Sequence, residues 1–272
     1  MKGIVVMIPK VSVIMPAYNS EKTIEEAIHS VLTQSVRSLE LIVVNDRSTD
    51  DTLKVVSQLV KEDPRIILIN CDTNQGPAEA RNLALKHASG EYIAFLDSDD
   101  IWQKEKLEKQ LTVLESTKYD ICYTAYGILD GNSSLAKKLY LIPERIDYKE
   151  LLKENVIGLS TVLIKRELLT GYKFNNRWFH EDYALWLQLL GSGKRAIGIN
   201  EILVYYRSGG RSKNKILAAK NRWVIYRKAE KLPLLKAMYY MSIYSFRGIK
   251  KLCNNGKSKK YYLYDNQSQR FK

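Results

Sequence analysis

"YIAFLDSDD", Tyr92 to Asp100, runs an apolar strand straight into three carboxylates within four positions. An apolar run without polar alternation suits a strand buried on both faces, as in a parallel sheet. In open α/β sheets ligands bind outside the carboxyl ends of such strands. The acids therefore stand where a site forms, and two readings compete. Asp99 or Asp100 could cap a helix starting near Gln103. Alternatively the cluster holds something positive, since carboxylates crowded at a sheet edge repel one another. Hard divalent ions use one or two carboxylates and take their other ligands from phosphates and water. The clustering favours a metal–phosphate site.

The same strand–helix pattern extends upstream. "VSVIM", 11–15, is a short strand ended by Pro16, and Ile24, Ala27, Ile28, Val31 and Leu32 then recur at helical spacing. "LELIVVN", 39–45, is a second strand. "RSTDDTLKVVSQLV" follows as a helix, with Ser48 or Thr49 as N-cap and Asp50 and Asp51 in the first turn. "RIILIN", 65–70, is a third strand, and "GPAEARNLALKHA" opens a helix with Pro77 in its first turn. This alternation predicts an α/β fold whose parallel sheet has helices on both faces. It sets "PAYN", "NDRSTD" and "DSDD" side by side along one rim. Downstream, "DICYTAYGIL", "LSTVLIKREL" and "EILVYYR" read as strands and "HEDYALWLQLL" as a helix begun by acids, before "SGGRSKNK" breaks the pattern.

The 272 residues allow a sizeable core, and one large domain with an appendage is the expected organisation. Apolar residues make up 45% and charged residues 27%, the balance of an ordinary globular protein. No run of eighteen apolar residues offers a membrane span. The start, "MKGIVVMIPKVSVIMPAYN", is interrupted by Pro9, Lys10 and Pro16, so it reads as a first strand rather than a signal peptide. Cys71, Cys122 and Cys253 form no Cys-x-x-Cys pair, and His29, His87 and His180 have no zinc spacing, which fits a reducing cytosol. The net charge is +13, but it is unevenly placed. Arg207 to Lys272 holds eighteen Lys and Arg against Glu230 and Asp265, a balance of +16, so the remainder balances to −3. A polyanionic partner would meet the C-terminus.

Four segments, "VSVIMPAYNSEKTIEEAIHSVLTQS", "LELIVVNDRSTDDT", "NQGPAEARNLAL" and "GEYIAFLDSDD", resemble in order and spacing the nucleotide-sugar-binding half of family-2 inverting glycosyltransferases with the GT-A fold. The likeness is close over about the first 130 residues and looser to Arg207. It implies a GT-A domain over 1–210, with a nucleotide-binding half to about 130 and an acceptor half beyond it. A basic, Tyr-rich helical tail would then occupy 211–272. By the same resemblance, Pro16, Ala17 and Tyr18 line the base pocket, and Asp46 accepts a hydrogen bond from a pyrimidine ring. Gly76 lets the chain pass close to the nucleotide, and Arg81 sits beside base and ribose. Asp97 contacts ribose or metal-bound water, Ser98 lies beside it, and Asp99 ligates Mn²⁺ or Mg²⁺ at the diphosphate. From the residues alone, ordinary packing for Tyr18 and a surface helix charge for Arg81 are the lesser alternatives.

Inverting transfer is a single displacement that needs a base for the acceptor hydroxyl and positive charge for the departing diphosphate. In "WFHEDYALW" the pair Glu181-Asp182 precedes a helical apolar pattern, where capping alone also accounts for it. The resemblance implies Asp182 as base, with Glu181 orienting it or holding the acceptor. Trp178 is a candidate for stacking on an acceptor sugar, whereas Trp186 suits the core. "YYRSGGRSKNK", 205–215, is placed to close over a diphosphate, although a flexible linker accounts for it equally. Some relatives carry a metal-binding His there; this sequence has none, which leaves Arg207 or Arg211 to supply charge.

In the tail, Pro233 starts a helix on which Leu235, Met238, Tyr239, Phe246 and Ile249 fall near one side, with Arg247, Lys250 and Lys251 nearby. Cations mixed with aromatics fit a helix lying on an anionic membrane surface. No nucleic-acid motif accompanies the charge, so no nucleic-acid partner is expected.

The sequence thus predicts a metal-dependent inverting glycosyltransferase, peripherally attached to the cytoplasmic face of the cell membrane. Its donor would be a UDP-sugar and its acceptor a glycan or lipid-linked glycan of a bacterial surface polysaccharide. A nucleotide-sugar pyrophosphorylase would need a Gly-rich first loop with Arg and Lys, and a dinucleotide oxidoreductase Gly-x-Gly-x-x-Gly; "PAYNSEKT" is neither. The rival of a different class is a non-catalytic membrane- or nucleic-acid-binding protein that keeps the fold. Sugar-nucleotide turnover separates the two.

Overall fold

The computed structural model describes residues 8–129, 135–178, 180–207, 215–254, 262–265 and 270–271. Its first half is a four-stranded parallel sheet. β1 (Val11–Ala17) lies between β2 (Leu39–Asn45) and β4 (Tyr92–Phe95), and β3 (Ile66–Asn70) pairs outside β2. Successive β1 residues face opposite layers: Val11, Val13 and Met15 enter one core and Ile14 the other. That is the period-2 geometry of a strand buried on both sides. The first of these layers takes α1 (Ile24–Leu32), α2 (Thr52–Glu62) and α4 (Lys106–Ser116). The second takes α3 (Pro77–His87), whose Ala78, Ala80 and Ala84 bring the helix close to the sheet, and α6 (Glu181–Gly191).

The second half makes the sheet mixed. β6 (Ile121–Leu129) runs parallel to β10 (Ala196–Arg207) and antiparallel to β7 (Leu135–Tyr140). The seam between the halves is β9 (Leu163–Lys165), antiparallel to both β4 and β6. The short strands β5 (Ile101–Trp102) and β8 (Arg145–Ile146) pair with β10, and α5 (Tyr148–Lys153) packs on α6. The expected fold class holds, as a mostly parallel sheet with flanking helices.

Several local expectations are corrected. "LSTVLIKREL" keeps only three strand residues, between 3-10 turns at Leu159–Thr161 and Arg166–Leu169. α2 starts at Thr52 rather than after Ser48 or Thr49. The Ser48 hydroxyl accepts the Asn19 N–H at 3.0 Å and the Thr49 N–H goes to Asn19 Oδ1 at 2.8 Å, so both bind the neighbouring rim loop. Asp50 lies before the helix and accepts from Thr52 N at 3.0 Å. After Asp100 the chain enters β5, not a helix, so helix capping does not explain the acids.

The basic C-terminal segment is not helical throughout, nor separate from the body. α7 (Lys215–Val224) continues through a π-turn at Ile225–Ala229 to α8 (Leu234–Asn254); β11 (Tyr262–Asp265) and β12 (Arg270–Phe271) follow. β11 pairs antiparallel with β7. Ile225, Tyr226 and Ala237 are fully buried in the core that also holds α6. Among the described residues no helix is long and apolar enough to cross a membrane.

Candidate active site

A cleft of about 900 Å³ opens along the carboxyl ends of the parallel strands, within the size range of small-molecule sites. Pro16, Ala17, Tyr18, Asp46, Gly76 and Arg81 line it together with Asp97, Ser98, Asp99, Glu181 and Asp182. Residues up to 166 positions apart in the chain thus meet at one rim. Trp178, expected at the acceptor, is half-buried and packs against the core outside this lining. Arg211 lies outside the described residues.

At the end of the cleft beside β2, Asp46 is buried just past the strand. Its Oδ1 accepts the Gln75 N–H at 2.9 Å and its Oδ2 the Gly76 N–H at 2.8 Å. Each oxygen keeps a lone pair for one further donor. Gly76 has φ 86°, a left-handed conformation in which a Cβ would strain the backbone although it would meet Asn176 Oδ1 only at an ordinary contact distance of 3.8 Å. That conformation turns two amides onto Asp46 and delivers Pro77 to the first turn of α3. Tyr18 stands half exposed at the mouth.

Arg81, expected beside base and ribose, lines the cleft from a buried position. Its side chain is 2% exposed and lies between two acids: Nη1 donates to Glu181 Oε1 at 2.7 Å and Nη2 to Asp97 Oδ1 at 2.6 Å. The guanidinium stacks 5.5 Å from the Phe174 ring. Burial works against its charge, and the two carboxylates outweigh that and hold it charged. Glu181 is buried with it, which suits orienting the neighbouring residue.

That neighbour is Asp182, half-buried and facing the cleft from the first turn of α6. Burial, then the Glu181 charge, push its carboxyl pKa up to about 6, against the opposing pull of the Tyr183 N–H and Arg81. A carboxylate so tuned is ionised at neutral pH yet more basic than a free Asp. The next residue fixes the helix: Tyr183 Oη donates to Leu151 O at 3.1 Å and accepts from Arg222 Nη1 at 3.0 Å. Arg222, from α7, lies 4.4 Å from the Tyr183 ring and 4.2 Å from the Tyr244 ring of α8.

The three acids after β4 have different surroundings. Asp100 is buried, accepts from Ser160 Oγ at 2.5 Å and is pushed well above the usual carboxylate range by burial and then by Asp99 and Asp97. It ties the rim to the turn before β9. Asp97 and Asp99 remain half-buried in the cleft, with one Asp97 oxygen taken by Arg81. Among the described residues no three His, Cys, Asp or Glu side chains converge as a metal cage. This donor set fits a hard divalent ion only when diphosphate oxygens and water supply its remaining ligands.

The far wall holds residues of which only Tyr206, at the start of "YYRSGGRSKNK", falls in a segment the sequence marks as a site. Tyr126, Ile128, Leu159 and Tyr206 line it. Tyr126 stacks 4.9 Å from Tyr140 and meets Tyr206 edge-on at 5.0 Å. Tyr206 Oη accepts the Ser160 N–H at 3.2 Å. Arg207, the alternative cation of the basic loop, reaches the cleft and pairs with Glu26.

Residues 12–170 match the model of the family described as glycosyl transferase family 2. A Bacillus subtilis protein, provisionally named as the teichuronic acid biosynthesis glycosyltransferase TuaG, is 41% identical over 89% of this chain and 97% of its own length. An Escherichia coli protein, the UDP-Glc:alpha-D-GlcNAc-diphosphoundecaprenol beta-1,3-glucosyltransferase WfgD, is 40% identical over 89% of this chain and 94% of its own. Among solved structures, the mannosyltransferase PcManGT of Pyrobaculum calidifontis, in complex with GDP-Man and Mn²⁺, superposes with TM-score 0.67 at 22% identity. It covers 92% of this chain and 76% of that one. The rim of motifs, the cleft they share and these likenesses converge, and the chain is a glycosyltransferase of family 2 with the GT-A fold.

Proposed function

We propose that the chain is a metal-dependent inverting enzyme that moves a sugar from a UDP-sugar to a hydroxyl of a lipid-linked glycan during assembly of a bacterial surface polysaccharide. The observation that carries this reading is the place of Asp182. A carboxyl tuned to about pKa 6 faces the same cleft as Asp97 and Asp99. The acceptor hydroxyl gives its proton to Asp182 as its oxygen bonds to the anomeric carbon. The bond from that carbon to the β-phosphate oxygen breaks, and UDP leaves with the electron pair. Attack opposite the leaving group inverts the centre. Glu181, held by Arg81, keeps Asp182 in place rather than taking the proton itself.

Asp99, with the free oxygen of Asp97, would hold the divalent cation, which when bound neutralises charge on the departing diphosphate. The remaining lone pairs of Asp46 suit the ring N–H of uracil, and Tyr18 the face of the base. Tyr126 and Tyr206 offer rings to the acceptor. WfgD, by its name, uses UDP-Glc and a GlcNAc-diphospholipid, which supports a UDP-sugar and a lipid-linked acceptor for this chain. The +16 segment from Arg207 to Lys272 supports peripheral attachment to the inner face of the cell membrane.

The test is transfer from UDP-glucose to a synthetic α-GlcNAc-diphospholipid with Mn²⁺, with product stereochemistry read by NMR. A β-linked product formed by the wild type, and lost in Asp182→Asn, is the expected result. Turnover retained by Asp182→Asn, or an α-linked product, would overturn the assignment.

A further inference from the structure

We propose that the outward face of α8 is a docking surface for an anionic lipid bilayer. This names the surface behind the peripheral attachment proposed above and rests on that part of the reading. On α8, Leu234 is 52% exposed, Leu235 77%, Met238 47%, Tyr239 56% and Phe246 69%. At about 100° per residue these side chains share an arc of roughly 140°. The residues of that arc between them, Ser242 and Ser245, are small and exposed. A helix solvated on its outer side carries charge there; this one carries apolar and aromatic groups, with exposed Lys236 at the margin.

The opposite side of the helix is anchored. Ala237 is fully buried, Tyr240 sits 6.3 Å from the Tyr226 ring, and Tyr244 covers the Arg222 guanidinium at 4.2 Å. The apolar face is therefore held outward by the packing of the inward face.

Charge identifies the occupant. The segment that carries this face balances to +16 while the rest of the chain balances to −3. It stays strongly cationic after Arg207 pairs with Glu26, Arg247 with Glu150 and Glu154, and Arg222 is buried. A second copy would bring two strongly cationic segments together, which disfavours self-association through this face. A nucleic acid would match the charge but leave Leu235, Met238 and Phe246 without an apolar partner. An anionic membrane interface satisfies both features, because its headgroups attract cations while the acyl boundary takes Leu, Met and Phe side chains to a depth of about 5–10 Å.

The experiment is co-sedimentation of the full chain with vesicles of phosphatidylglycerol and phosphatidylcholine, and with phosphatidylcholine alone. It needs neither donor nor acceptor, so a wrong sugar assignment leaves it intact. The wild type should sediment with the anionic vesicles. The double variant Leu235→Glu/Phe246→Glu should lose binding about tenfold or more while its melting temperature stays unchanged. The milder Leu235→Ser/Phe246→Ser, which adds no negative charge, should also bind more weakly. Undiminished sedimentation of the Ser pair would overturn the proposal. So would a wild-type dimer in gel filtration that the Ser pair converts to monomer, which would give the face to a second copy.

Discussion

Arg81 on α3 donates to Glu181 on α6 at 2.7 Å, across 100 residues of chain, while its other terminal nitrogen holds Asp97 at 2.6 Å. One buried guanidinium thus sets both the acid beside the proposed base and the acid after β4. Removing the cation takes away the charge that faces the buried Glu181 carboxylate. Arg81→Met should destabilise the fold by about 3–5 kcal/mol, read by urea denaturation. Arg81→Lys should recover only part of this, because an ammonium cannot span both carboxylates in the forked geometry.

The pH dependence follows from Asp182. Its pKa of about 6 means the basic form predominates above that pH and disappears below it. kcat/KM should therefore rise through about pH 6 and level off toward neutrality. Asp182→Asn should lower turnover about 10²- to 10⁴-fold with donor affinity nearly unchanged. The Glu181 charge helps raise the Asp182 pKa, so Glu181→Gln should shift the rising limb to lower pH. A limb that stays in place would assign the shift to burial alone.

Asp99 should reveal itself through a nucleotide-dependent metal effect. UDP alone should raise the melting temperature slightly, and UDP with Mn²⁺ clearly more, because the diphosphate completes a coordination shell that the protein supplies only in part. Asp99→Ala should remove the metal-dependent increment. Equal stabilisation in EDTA and in Mn²⁺ would exclude Asp99 as a ligand.

The far wall can be moved by one methyl group. A Cβ at Gly158 would overlap the Tyr206 hydroxyl, which now accepts the Ser160 N–H. Gly158→Ala should displace Tyr206 and lower kcat/KM for the acceptor about 10- to 100-fold. The KM for the donor should stay within about twofold if, as proposed, this wall faces only the acceptor.

Much of the donor side was legible in the sequence because it is built from local patterns. The strand ends at Asn45 and Phe95 lie at or within one residue of where the apolar runs stop, whereas β1 runs on through Pro16, expected to end it, to Ala17; parallel pairing brings the following residues to one rim. Arg81 was not legible as a buried brace, since its two acids come from β4's end and from α6 and nothing on α3 announces them. Tyr126 and Tyr206 face each other only because β6 and β10 pair in parallel, and that pairing has no signature in either segment. After Arg207 the apolar Ile225, Tyr226 and Ala237 are scattered among many cations and show no core-facing period. Those three residues decide where α7 and α8 pack.

The three-residue seam β9 also sets an order of events during synthesis. β4 has β1 on one side and β9 on the other. A nascent chain complete to Phe95 can pair β1, β2, β3 and β4, yet one border of β4 then has no partner until Leu163–Lys165 leaves the ribosome. At about 5–20 residues per second this interval lasts several seconds. An uncovered apolar strand is a template for pairing with other chains. The vulnerable stage for aggregation therefore falls between emergence of β4 and arrival of β9, and substitutions that weaken β9 should reduce soluble yield more than they reduce the stability of the finished protein.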